Sequence, residues 1–205
     1  MMDVIATERR GLAEVLAGMT DEQWHAQSLC EGWTSAHVLA HLTMPFRITA
    51  EEYMAGVRAA GGDFTTFSDA MAERDSVLPQ ADLVAVLRDN ADNPWAPPGA
   101  GLIAPLSHDV IHGIDITLPL DADWQVPDLA LTSVLDMLVG DGSETVFGVA
   151  VSGLWLHADD LGWSWGSGAE VHGHGKDLVA LLGNRRIPLD RFTGAGVTQL
   201  GTTAR

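Results

Sequence analysis

Apolar residues in this chain change their period near residue 140, and that change asks for two kinds of structure. From Val4 to Met19 the positions Val4, Ile5, Leu12, Val15, Leu16 and Met19 recur at helical spacing, and "TDEQW" then supplies a turn and a fresh helical start. In "EGWTSAHVLAHL" Gly32 breaks the chain, Thr34 or Ser35 can cap, and Val38, Leu39 and Leu42 open a helix. The pattern carries that helix past Pro45 with a kink toward Ala60, where Gly61 and Gly62 stop it. Residues 67–90 read as one helix or a pair broken at Pro79, and "DNPWAPPGAG" at 92–101 is a loop by its Pro and Gly content. A helix carrying His108 ends before Pro119, and another runs from Asp128 to Val139. Four or five such helices joined by loops make a bundle.

Past "GDGSE" the texture is different. "VAVSGLWLHADDLGWSWGSGAEVHGHG" alternates and breaks at glycines every few residues, as short strands and hairpins do, and "KDLVALLGNRR" returns to helical spacing. The expected organisation is a helical bundle over residues 1–142 and a small α+β domain over residues 143–205.

The balance of 28 acidic against 11 basic residues gives a net charge of −17, which repels the phosphate backbone of nucleic acids and anionic lipid. A small-molecule partner is compatible with that charge; nucleic acid and membrane are not. No apolar run approaches the length of a membrane span, and "MMDVIATERRGL" lacks the basic-then-apolar order of a signal peptide, so a cytoplasmic monomer or homodimer is expected. The single cysteine, Cys30, can form no internal disulfide and no thiolate cage. Its neighbours in "SLCEGW" offer only Glu31, which disfavours a thiolate, so Cys30 reads as a structural residue poorly placed to act.

"LSHDVIHGID" places His108 and His112 four apart, one above the other on a single helix face. The spacing suits a shared ion, and it equally suits two polar side chains kept in a protein interior. His41 in "HVLAHL" can join them if its helix faces theirs, giving a three-histidine site with open positions for water or substrate. Neutral imidazole suits zinc, nickel, iron or cobalt. His37 stands four residues before His41 but follows the cap closely; it reads, with His25, as a surface or boundary histidine. His157, His172 and His174 fall in the strand region, and the last two, flanking a glycine in "VHGHG", read as exposed hairpin residues. Asp109 and Asp115 either hold a ligand imidazole by its second nitrogen or belong to a solvated face and a helix end. Trp24, Trp33 and Trp95 read as plugs at core edges. "VHGHGKD" lacks the spacing of a phosphate loop, and neither HExxH nor GxSxG occurs.

Trp24 with "EGWTSAHVLAHL", then "HDVIHGIDI", then "DLGWSWGSGAEVHG", "DLVALLGNRR" and "FTGAGV", in that order, resemble the mycothiol-dependent maleylpyruvate isomerase family of the DinB-like superfamily over nearly the whole chain. The resemblance implies a mostly α protein: a DinB-like four-helix bundle carrying a metal, followed by a small sterol-carrier-like α+β domain. It places the metal ligands on His41, His108 and His112, and the functional arginine of the C-terminal domain on Arg185 or Arg186 of "GNRR". One position departs from the pattern. The maleylpyruvate isomerases proper carry a glutamate where this chain has His108, and a third neutral ligand leaves the ion more positive. An arginine at 185 can hold a carboxylate of substrate or cofactor in a bidentate fork, or neutralise the end of its helix.

The expected function is therefore a metal-dependent, mycothiol-dependent isomerase or S-transferase acting on a small electrophile. Zinc comes before nickel or iron as the ion, Arg185 orients an anionic group, and Arg185 and Arg186 are the candidates for holding the cofactor. The alternatives are a hydrolase that uses metal-bound water, and a non-catalytic small-molecule binding protein.

Overall fold

The computed structural model describes residues 1–97 and 99–203, and these fall into two compact units, Met1–Gln125 and Val126–Arg205. The fold is mostly helical with a small sheet near the C-terminus, as expected.

The first unit holds α1 (Met2–Ala17), α2 (Asp21–His25), α3 (Ser35–Arg47), α4 (Ala50–Ala59), α5 (Phe64–Asp75), α6 (Gln80–Asp89) and α7 (Ile103–Thr117). Helices α1, α3, α6 and α7 make a four-helix bundle in which α1 and α3 each pack against both α6 and α7. Ile5, Leu12 and Leu16 of α1, Leu39 and Leu42 of α3, Leu83 and Leu87 of α6, and Leu106 and Ile114 of α7 are all fully buried in this unit. Each such side chain contributes roughly 1.5–3 kcal/mol by leaving water. Trp124, also fully buried, fits because Gly113 of α7 has no side chain: a Cβ there would lie 2.4 Å from the indole.

The helix expected to kink at Pro45 and run toward Ala60 is two helices. Pro45 sits in the last turn of α3, where it removes one backbone donor; Ile48 is extended, and Thr49 and Glu52 form a reciprocal capping box that starts α4. The chain does break at Pro79, which precedes α6. The expected loop at 92–101 joins α6 to α7; Pro98 within it lies outside the described residues.

The second unit holds α8 (Asp128–Leu138), α9 (Ser143–Phe147), β1 (Leu154–Ala158), β2 (Trp163–Gly166), β3 (Ala169–Gly173), α10 (Gly175–Leu182), a 3-10 turn at Leu189–Arg191 and α11 (Val197–Thr203). The sheet order is β2-β1-β3, with β2 antiparallel and β3 parallel to β1, and Cα register pairs His157 with His172. Alternation is clear on β1: Leu154, Leu156 and Ala158 are buried, while Trp155 is exposed. Gly168, at φ +133°, lets the chain pass Gly153, whose carbonyl oxygen would lie 2.0 Å from any Cβ.

The division at Gln125 comes earlier than residue 142 because α8 packs against α10 and is tied to β2, where Trp163 Nε1 donates to Asp136 at 2.8 Å. Its period announces an apolar face without saying which element covers it. No helix among the described residues is long and apolar enough to cross a membrane.

Candidate metal centre

Helix α3 packs against α7, and this packing brings His41 to His108 and His112. One ring nitrogen from each lies within 4.8 Å of the others. His41 Nε2 stands 3.0 Å from His108 Nε2, and the three ring centroids are 4.8 to 5.0 Å apart. His41 is buried, 4 % exposed; the other two are half-buried.

Each imidazole is held by its other nitrogen. His41 Nδ1 is 2.9 Å from the buried Ser68 hydroxyl of α5, His108 Nδ1 donates to Asp109 Oδ1 at 2.9 Å, and His112 Nδ1 donates to Asp115 Oδ2 at 2.9 Å. A proton fixed on Nδ1 leaves the Nε2 lone pair for an ion, the arrangement in which histidines ligate metals through Nε2. Burial, then the His112 and His108 rings, keep the His41 imidazole far below its ordinary protonation range, so it is a neutral donor. The donor set fits a divalent transition ion: three imidazoles converge, two of them with tautomers set by carboxylates and the third held by the Ser68 hydroxyl.

Both aspartates are buried rather than solvated. Asp115 is fully buried, and Asp109, 2 % exposed, also accepts from Arg9 Nε at 2.6 Å, so its charge is balanced from α1. Trp33 lies against the site, its ring 5.1 Å from His41 and 6.5 Å from His112, where the sequence suggested only a core plug.

Cys30 has other neighbours than the Glu31 that the sequence offered. Its thiol donates to Asp115 Oδ2 at 3.0 Å and lies 3.8 Å from His112 Nδ1. The bond from Leu29 N to the Asp115 carbonyl, 3.0 Å, brings the loop there. Ser68 and Cys30 carry no local motif that marks them, and Trp33 lies in "EGWTSAHVLAHL" without its spacing showing that its ring meets His41 and His112.

Other histidines stand elsewhere. His37 contacts Thr34 Oγ1 at 2.7 Å and Glu73 Oε2 at 3.0 Å, and His25 Nδ1 contacts the Asp21 carbonyl at 2.7 Å. His174 is exposed at the start of α10. His172 is no hairpin tip. It lies on β3, stacked on His157 at 4.5 Å with 8° between the rings, and donates to Asp159 at 2.9 Å, with Glu170 3.7 Å away. Arg185 and Arg186 follow α10 in the second unit; Asn184 in the left-handed region ends that helix, and Arg185 donates to the Gly183 carbonyl at 2.8 Å.

Residues 5–94 match the family described as the mycothiol maleylpyruvate isomerase N-terminal domain. The fold is similar to the crystal structure of a mycothiol-dependent maleylpyruvate isomerase, with a TM-score of 0.64 at 15 % identity over 95 % of this chain and 91 % of that one. The structure of a histidine-to-alanine mutant of a mycothiol-dependent maleylpyruvate isomerase gives 0.63 at the same identity and coverage. No curated protein matches the chain in sequence.

Proposed function

Since residues 5–94 belong to the mycothiol maleylpyruvate isomerase N-terminal domain family, we propose that this chain is a metal-dependent, mycothiol-dependent enzyme that isomerises, or transfers sulfur to, a small electrophile. The observation that supports the metal is the convergence of three imidazoles whose outer nitrogens are all engaged. His41, His108 and His112 would hold one divalent ion, zinc before nickel or iron. When bound, such an ion supplies Lewis acidity that favours the thiolate of a thiol near neutral pH.

The chain's own contribution is orientation and electrostatics. Asp115 and Asp109 hold His112 and His108 as Nδ1–H tautomers, so both present an unprotonated nitrogen inward. Arg9 neutralises Asp109, and a histidine at 108 adds no negative charge where the family pattern has a glutamate; both keep the site more positive. Trp33 and Phe64 lie against the His41 ring, at 5.1 and 6.5 Å between centroids. The reacting sulfur is assigned to the cofactor, while the Cys30 thiol donates to Asp115. Arg185 is assigned to orient an anionic group and, with Arg186, to hold the cofactor.

The test is thiol consumption by the metal-loaded chain. Turnover that needs both added ion and mycothiol, and that disappears in His112→Ala, supports the proposal. Metal-dependent turnover without thiol would favour hydrolysis.

A further inference from the structure

The sheet of the second unit has two unlike faces. Leu154, Leu156 and Ala158 of β1 and Val171 of β3 are buried on one of them. On the other, Trp155 and His157 of β1 stand beside Glu170 and His172 of β3, with Trp155 in register with Glu170 and His157 with His172. Neighbouring strands lie about 4.8 Å apart, which sets paired rings in contact. The two imidazoles accordingly stack at 4.5 Å with 8° between their planes. One ligand atom each from His157, Glu170 and His172 lies within 4.8 Å of the others.

The backbone holds these residues in place. Beyond the pairing of β3 with β1, His172 N donates to the Thr193 carbonyl at 2.8 Å and Thr193 N donates back to the His172 carbonyl at 2.9 Å. Gly196 N donates to the Glu170 carbonyl at 2.8 Å. The strand carrying two of the three side chains is therefore fixed on both edges, which lowers the ordering cost of binding.

Two further observations point to a cation. His172 Nδ1 donates to Asp159 Oδ1 at 2.9 Å, and its Nε2 stands 3.7 Å from Glu170 Oε2. A carboxylate behind an imidazole is the arrangement that commits the other nitrogen to a metal. His157 Nε2 is buried and, among the described residues, has no hydrogen-bond partner. A buried ring nitrogen in that state is destabilising until a ligand completes it.

We infer that His157, Glu170 and His172 form a second metal site, which takes a divalent transition ion through two imidazoles and one carboxylate, with Asp159 holding His172 from behind. Two nitrogens and one oxygen suit zinc, nickel or copper better than calcium or magnesium. The side chains of His172 and Glu170 are 33 % and 53 % exposed, so water reaches the remaining positions and the ion exchanges freely. It is held at equilibrium with free ion and lost on desalting. All its ligands lie in the second unit, so the site stands apart from the enzymatic reading above.

Equilibrium dialysis of the full chain against rising free zinc, with the bound ion counted by elemental analysis, tests this site. The wild type takes up about one more ion per chain than His157→Phe or His172→Phe, whether or not the three-histidine centre is filled. Asp159→Asn, at an exposed position, weakens that extra ion about 10–100-fold with circular dichroism unchanged. The Trp155 ring lies 4.5 Å from His157, so copper in place of zinc quenches its fluorescence, read as the difference between wild type and Trp155→Phe. That quenching disappears in His172→Phe. Equal zinc uptake by the wild type and the histidine variants, unchanged affinity in Asp159→Asn, or Trp155 quenching that persists without His172 overturns the inference.

Discussion

His41 Nε2 faces His108 Nε2 across 3.0 Å, from two helices joined only by packing, and each ring is held from behind by a different residue. Two unprotonated nitrogens at that distance repel unless a proton or a cation lies between them. His112 sits a turn beyond His108 and makes the third corner.

The Asp115 carboxylate accepts from both His112 Nδ1 and the Cys30 thiol. Replacing it with asparagine keeps the shape but removes the charge that fixes the His112 tautomer. Asp115→Asn is expected to lower zinc affinity about 10–100-fold, whereas Cys30→Ala leaves ion content unchanged. Competition against a fluorescent chelator reads both. Equal affinity in wild type and Asp115→Asn contradicts the role given to Asp115.

Gly113 is required by Trp124, whose indole carbons would lie 2.4 Å from a Cβ. Gly113→Ala overpacks a fully buried ring and is expected to cost about 1–3 kcal/mol, seen as a lower urea midpoint at unchanged slope. An unchanged midpoint would show that the core relaxes there.

Much of the architecture was legible because apolar spacing is a local property. Helices α1 and α7 follow from their own periods, and the i, i+4 pair of His108 and His112 could be read off α7 before any packing was known. The end of α3 had a signal that the apolar pattern outweighed: Thr49 and Glu52 are spaced for a capping box just past Pro45. Other features had none. The covering of α8 by α10, the approach of Ser68 to His41, and the Leu29 to Asp115 bond that carries Cys30 into place all depend on residues remote in sequence.

Glu8 is fully buried on α1 with both carboxyl oxygens unpartnered. Burial, and then the nearby Asp109 charge, raise its pKa well above the usual 4.5, against the smaller opposing effect of Arg9. The folded chain thus keeps a proton that the unfolded chain releases, so stability falls as pH rises from the usual carboxyl range toward the raised value. Glu8→Met is expected to add about 1–3 kcal/mol at pH 8 and to flatten this slope. A variant less stable than wild type at pH 8 would contradict the assignment.

His172 is raised above its ordinary 6.5, first by the hydrogen bond to Asp159, with desolvation opposing and Glu170 adding. With the folded value above the unfolded one, its contribution is complete below 6.5 and is lost as pH rises through the folded value. Proton NMR titration should place its midpoint above 6.5 and move it down in Asp159→Asn. A midpoint at or below 6.5 in the wild type would show that the Asp159 contact is absent in solution.

The central claim is the three-histidine centre, and elemental analysis tests it most directly, on the full chain purified without a metal-affinity tag alongside His112→Ala, with circular dichroism confirming that both are folded. The account predicts about one zinc, nickel or iron ion per chain in the wild type and almost none in the variant. A wild type that takes up no ion after loading with each of the three, or a folded variant that retains as much as the wild type, would contradict it.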